Sequence, residues 1–192
     1  MTVRILRAAG RAAAPWKNGG GVTREIAAAP EGAGMDTFAW RVSLADVAAD
    51  GPFSVFPGVT RVLTVADGAG MELTAGGLPV RAGERFVPHE FAGDVPTRGR
   101  LLGGPVVNFN VMYRGALTEA LVSVVRGRLT VGVPPGSTVL AVALDGTAVL
   151  EDADAVLEPY DAALVTGESP GVLRADGRTA LVTLRGPAPR GA

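Results

Sequence analysis

The sequence predicts an all-β protein organised as two related small barrels. Three observations carry this expectation. Glycine and proline interrupt the chain at short intervals, the segments between them are brief and β-branched with frequent alternation, and one strand-turn-strand pattern occurs twice. The strands expected in the first half are Phe38 to Ala45, Thr60 to Val65, Met71 to Thr74 and Val106 to Tyr113. Those in the second half are Ala120 to Val125, Arg128 to Val133, Val139 to Leu144, Ala162 to Thr166 and Thr179 to Leu184. Leu44 to Ala49 is the one helix-like stretch. It is too short to nucleate alone and is bounded by Asp50-Gly51-Pro52, so it is read as at most a turn.

The repeat sets Leu63-Thr64-Val65-Ala66-Asp67-Gly68 against Leu140-Ala141-Val142-Ala143-Leu144-Asp145-Gly146. At the same separation it sets Ala82-Gly83-Glu84-Arg85-Phe86-Val87 against Pro159-Tyr160-Asp161-Ala162-Ala163-Leu164. Chance coincidence of common β-turn-β patterns is the competing explanation. Closing each sheet on itself removes the exposed edges that many short strands would otherwise present. The expected division is an N-terminal barrel over residues 1–115 and a C-terminal barrel over 116–192.

The two halves differ in chemistry. Both tryptophans, all six phenylalanines, the single histidine and the Asn108-Phe109-Asn110 cluster precede Arg114. The second half is mostly Ala, Val, Leu, Gly and Pro, so its expected job is scaffolding or contact with another copy, which would make a homodimer.

Composition narrows the function. The formal net charge is −1 and no two cations are adjacent, which argues against a nucleic-acid face needing clustered cations. There is no cysteine, hence no disulfide framework, thiolate metal site or cysteine nucleophile. Arg4, Arg7 and Arg11 near the N-terminus faintly resemble a targeting peptide, but no signal-like apolar core follows and the dense motif begins at once. No stretch approaches a membrane span. A cytoplasmic protein without membrane association is expected. A metal-binding barrel would need several histidines and a carboxylate around one ion. With His89 alone, no metal and no cofactor are expected. No Gly-x-Ser-x-Gly elbow occurs, and the glycine run lacks the Lys-Ser/Thr ending of a phosphate loop.

The chemistry-bearing residues follow from strand parity and turn composition. Pro15 to Ile26 holds an aromatic ring, a cation, an amide, three successive glycines and an Arg-Glu pair. Taken alone the glycines read as a tight connection between strands; Trp16, Asn18 and Arg24 around them point to a binding rim. Val59, Arg61, Leu63 and Val65 share one strand face. If that face is interior, Arg61 is a buried ion pair or a ligand clamp; if not, it is a surface cation. Trp40, Val42 and Leu44 share a face, leaving Arg41 and Ser43 together on the other. Asn108, Asn110 and Met112 share a face and either reach one small polar ligand or are solvated. In Asp50 to Gly58, Phe53 and Phe56 either plug a barrel end or wall a pocket.

Four motifs in order and spacing resemble the HutD/Ves family: Trp16-Lys17-Asn18-Gly19-Gly20-Gly21-Val22-Thr23-Arg24-Glu25-Ile26; Trp40-Arg41-Val42-Ser43; Asp50-Gly51-Pro52-Phe53-Ser54-Val55-Phe56-Pro57-Gly58 with Arg61; and Phe109-Asn110-Val111-Met112. The resemblance is dense in the first half and general in the second. It implies a bicupin, two cupin-like barrels of jelly-roll type in one compact chain. It also implies a link to histidine utilisation through binding of a metabolite such as urocanate or N-formylglutamate, with the Ves branch described as stress-induced. No established catalytic activity comes with it. The family commonly has Asp where this chain has Asn108, which puts in doubt any role needing a negative charge there.

The leading expectation is a metal-free binder of a small carboxylate in the first barrel. Arg61 would clamp the carboxylate, Arg24 or Arg41 would add a second charged contact, Asn110 and Ser43 would orient polar atoms, and Trp16 or Phe56 would cover the apolar part, with Asn18 on the rim. The alternatives are a metal-independent enzyme using Glu25 or His89 as acid-base, and a structural or partner-binding stress protein.

Overall fold

The structure, a computed structural model, describes residues 2–16, 19–167 and 169–186, with all their side chains except those of residues 81 and 82. In chain order the strands are β1 (Thr2–Leu6), β2 (Ala14–Pro15), β3 (Gly21–Ala29), β4 (Trp40–Val47), β5 (Gly51–Pro52), β6 (Thr60–Asp67), β7 (Met71–Ala75), β8 (Leu78–Ala82) and β9 (His89–Ala92). They continue as β10 (Thr97–Leu101), β11 (Val106–Tyr113), β12 (Glu119–Val131), β13 (Ser137–Ala143), β14 (Ala148–Leu150), β15 (Ala155–Leu157), β16 (Ala162–Thr166) and β17 (Gly171–Arg185). A single 3-10 turn at Glu151–Ala153 is the only helical element among the described residues. Among the described residues no helix is long and apolar enough to cross a membrane. Of the stretch Leu44 to Ala49, read as a turn at most, Leu44 to Val47 is the end of strand β4.

Residues Arg11–Gly115 form one compact unit. It holds a six-stranded sheet in the order β2-β3-β4-β11-β6-β9 and a four-stranded sheet in the order β5-β10-β7-β8. Ala45, Val47, Leu63, Val65, Met71, Leu73, Phe91 and Val106, drawn from both sheets, form one buried cluster. Two bulges re-aim strands here. One extra residue, Ile26, lies between Glu25 and Ala27 where β3 pairs β4, and Ala66 is extra where β6 pairs β11. The Ala66 carbonyl accepts from Arg85 Nε and Nη2 at 3.2 and 2.8 Å.

The first ten residues and the chain from Ala116 onward form the other unit. Its seven-stranded sheet runs β1-β16-β13-β17-β14-β15, with β12 also paired to β17. The sequence division placed the N-terminus in the first barrel. Instead, β1 pairs β16 from Thr2↔Thr166 to Leu6↔Ala162, because Val3 and Ile5 pack on this unit's aliphatic cluster. Asp161 fixes the end of that pairing. Its carboxylate accepts from Ala8 N at 2.6 Å, Arg7 Nη1 at 2.7 Å and Glu158 N at 3.2 Å.

Strand pairing repeats between the units. In the first, β6 lies between β9 and β11, β7 between β8 and β10, while β4 and β5 pair β11 and β10. In the second, β13 lies between β16 and one half of β17, β14 between β15 and the other half, and β12 pairs both halves. Two hydrogen bonds set the correspondence: Phe86 N to Val65 O at 2.9 Å, and Tyr160 N to Ala143 O at 2.7 Å. Both donors have left-handed backbone, with φ of 67° and 69°. The second half of the repeat therefore aligns Phe86 with Tyr160, whereas the sequence comparison set Gly83 against it. The intervening segment is shorter in the second unit.

Burial alone would raise the pKa of Asp161, but the hydrogen bonds from Ala8, Arg7 and Glu158 outweigh it and hold the carboxyl below its ordinary value. A depressed carboxyl stabilises the fold above its unfolded pKa of about 4, and that stabilisation is lost as pH falls through the lower folded value. Asp161→Asn is expected to cost about 2 kcal/mol at pH 7, seen as a melting temperature roughly 4–8 °C lower by circular dichroism. The gap between variant and wild type should narrow below about pH 4.

Candidate functional site

Register determines which side chains meet inside the first unit. Residues directly opposite on paired strands point to the same side of the sheet. Leu63 is opposite Asn110 and His89, Asn110 is opposite Ser43, and Ser43 is opposite Glu25. One cross-strand row therefore reads Glu25, Ser43, Asn110, Leu63, His89. The adjacent row reads Ala28, Arg41, Met112, Arg61, Phe91, and on the other side Thr23, Ala45, Asn108, Val65. Ala45, Leu63, Val65 and Phe91 belong to the buried cluster, so all three rows face the interior.

Arg61 is the centre of this face. It is 6% exposed, and among the described residues no carboxylate pairs with it. Its Nη1 makes one long hydrogen bond, 3.4 Å to Ser54 O, and its Nε has no partner. The guanidinium carbon lies 5.0, 5.5 and 5.2 Å from the ring centroids of Phe53, Phe56 and Phe91. Three aromatic faces offset part of the desolvation cost. Burial pulls the Arg61 pKa down to about 10, which leaves the group cationic at neutral pH. A buried cation held by three rings and one long hydrogen bond attracts an anion by its electrostatics.

The loop carrying two of those rings is anchored at its base. Arg114 donates to Phe38 O at 3.1 Å, Pro57 O at 3.3 Å and Asp36 O at 3.3 Å, and stacks on the Phe38 ring at 5.1 Å. Phe53 N donates to Thr97 O at 2.9 Å, and the Phe53 ring lies against Gly99, where a Cβ would come within 2.8 Å of it. Phe53 also meets Trp16 edge-on, centroids 6.3 Å apart. A shallow cleft, open to solvent and holding only about 10 Å³ of water-accessible space, lies between Trp16, Val47, Phe53, Met71 and Gly99.

The other expected site residues divide. Ser43 and Asn110, 4% and 7% exposed, lie on the interior face with Arg61. Phe56 stacks on Arg61 directly. Trp16 stands at the cleft, its Nε1 donating to Thr23 Oγ1 at 2.7 Å. Its ring lies over Gly21, where a Cβ would fall 3.1 Å from it and 2.5 Å from Asp46 O. That glycine serves close approach. Asn18 lies outside the described residues. Arg41 faces inward but its Nε is bound to Glu25 Oε2 at 2.6 Å, so its charge is already matched. Arg24 does not converge on the site. Its parity is opposite to Thr23 and Glu25, and it pairs with Asp46 away from the interior.

Three contributors escaped the sequence reading as ligand contacts. Phe53 and Phe91 complete the ring cage, and His89 lies on the interior row. Phe91 and His89 could have been found from the parity of β9, a four-residue strand too short to stand out. His89 Nε2 and Asn108 Oδ1 are buried without a partner. Burial lowers the His89 pKa, with Glu84 acting the other way, so the ring is neutral at pH 7. Asn108 Nδ2 donates to Met71 Sδ at 3.2 Å, a contact that an aspartate at this position could not make. Among the described residues no group of three metal-ligating side chains occurs.

Known proteins resemble this chain over its length. The HutD family model matches residues 8–183. An uncharacterised 21.2 kDa protein in the hutC 3' region of Pseudomonas putida is 42% identical over 58% of each chain, so this chain spans less than two thirds of that relative. Protein Ves of Cronobacter sakazakii is 38% identical over 71% of this chain and 74% of its own. Among solved structures, HutD from Pseudomonas fluorescens SBW25 superposes with TM-score 0.85 and 32% identity, covering 99% of this chain and 100% of that one. The Escherichia coli pirin YhhW, solved with nickel(II), shares the fold at TM-score 0.64 and 10% identity over 97% of this chain and 100% of its own. With its motifs in register and a family match across nearly the whole sequence, this chain belongs to the HutD family.

Proposed function

We propose that this protein is a binder of a small carboxylate metabolite, with the first barrel as the binding unit and Arg61 as the anchor. The observation that carries the reading is the burial of Arg61 with no carboxylate partner among the described residues and an unpaired Nε. The carboxylate would enter by the cleft beside Trp16 and Phe53, take a charge-assisted bidentate contact from Arg61, and be flanked by Ser43 and Asn110. The repeated strand pairing supports a bicupin in which the second barrel is scaffolding. Family membership and the hutC-region relative favour a role in histidine utilisation, with urocanate and N-formylglutamate as first candidates and modulation of the pathway as the consequence of binding. The ligand set needs no metal. The cytoplasm is the compartment that this role fits.

Calorimetry on the purified protein should detect binding of at least one of these two carboxylates. Arg61→Ala should weaken that binding about tenfold or more; undiminished affinity in the variant defeats the reading. A buried unpaired cation costs desolvation, so Arg61→Met should melt no lower than wild type while losing the ligand. A clear drop in its melting temperature would mark Arg61 as structural. The bound carboxylate should be recovered chemically unchanged by NMR after prolonged incubation, and a new product would favour an enzyme.

A further inference from the structure

Among the described residues every free sheet edge is blunted except one. β2, β5 and β8 each contain a proline, Pro15, Pro52 and Pro79, and the first two are only two residues long. β9 has four residues including Glu90, and β1 has five including Arg4. β15 has three, and its Val156 carbonyl accepts from Arg7 Nη1 at 2.8 Å. Short strands, prolines and charges are the devices that keep an edge from pairing with another chain. β12 is the exception. It runs for thirteen residues without a proline, and Ala120 to Val125 within it is uncharged. One side pairs with β17, and among the described residues the other side pairs with nothing.

The first unit shows what such an edge looks like when it is covered. β12 takes the place of β4 and β5, since it pairs both halves of β17 as those strands pair β11 and β10. On its outer side β4 carries β3, from Gly21↔Val47 to Ala29↔Trp40. β12 has no counterpart of β3. One row of side chains registers the difference. Val3, Val165, Val139 and Thr183 lie opposite one another in turn and end on Leu121. Val165 and Val139 are buried, whereas Leu121 at the edge is 67% exposed.

We infer that β12 pairs with β12 of a second copy of this chain, antiparallel about a two-fold axis through Ser123. No other free edge matches it in length, the next longest having five residues. Two-fold pairing uses the same patch on both copies and closes, so a dimer forms and no open array. Opposed residues of an antiparallel pair share a side. The Ser123 centre sets Leu121 against Val125 of the second copy, Val122 against Val124, and serine against serine, with no like charges opposed. A centre one residue earlier would set Leu121 against Ser123, and one residue later would set Val122 against Arg126. β12 belongs to the second unit, so the inference does not depend on the carboxylate reading of Arg61.

The chain has no cysteine, so Ser123→Cys introduces a single thiol. Opposed Cα atoms in such a pair are about 4.5–5.5 Å apart, within disulfide range. Mild oxidation of full-length Ser123→Cys should give a disulfide-linked dimer, and Thr130→Cys, equally exposed on the same strand, should not. Sedimentation velocity should find the wild type dimeric at micromolar concentration. Leu121→Lys puts at an exposed position the charge that natural edges use. It should raise the dimer dissociation constant about tenfold or more while leaving the circular dichroism spectrum that of wild type. A monomeric wild type, a dimer undisturbed by Leu121→Lys, or a Ser123→Cys protein that cross-links no better than Thr130→Cys would overturn the inference.

Discussion

The period-two alternation of strands, locked by antiparallel register across β4, β11 and β6, organises the first unit. A slip of one residue in any of these pairings would exchange the polar rows for Trp40, Val42, Leu44, Phe109 and Val111. The opposite faces are themselves buried: Val42, Phe109 and Val111 have no exposed surface, and Thr64 has none. Both faces therefore hold the register, the aliphatic one by packing and the polar one by hydrogen bonds and the Arg61 cage. The two bulges, at Ile26 and Ala66, fall where β3 and β6 must depart from strict pairing without turning the polar rows away.

Arg61 shows how a charge can be kept inside with no counter-ion among the described residues. Three phenylalanine rings at 5.0 to 5.5 Å supply quadrupole attraction, and the long contact to Ser54 O supplies little. Rings are weak ligands for a cation compared with a carboxylate, so the guanidinium stays attractive to an anion. Arg41 is the contrast within the same row. Glu25 occupies it at 2.6 Å, so the Arg41 charge is matched while Arg61 has no such carboxylate among the described residues.

The second unit is an internal reference for what the architecture requires. Its cluster of Val139, Ala141, Ala143, Ala163, Val165 and Leu173 is aliphatic throughout, and it builds the same pairing pattern. The charge of Arg61 in the first unit is thus an addition to this pairing pattern, whereas buried hydroxyls, Ser137 and Thr179, occur in the second unit too. Three of the six phenylalanines, Phe53, Phe56 and Phe91, surround Arg61, and the position that matches Arg61 in the second unit is Val139.

Much of this was legible in the sequence. Gly and Pro spacing with β-branched segments determined the all-β class, and alternation put Arg61 on one face with Leu63 and Val65, because side-chain direction along a strand follows from local geometry alone. The Asp-Gly turns exposed the repeat. Short strands such as β8, β9 and β15 were not legible, since three to five residues carry too little pattern to separate from a loop. Nor could the sequence say which face was interior, that β1 would leave its neighbours to pair with β16, or that Arg24 would be spent on Asp46 and Arg41 on Glu25. Those outcomes depend on which strand lies beside which. Residues distant along the chain, Phe91 and Phe53 beside Arg61 and His89 level with Asn110, become neighbours only through non-local pairing, and that is a decision of the tertiary structure.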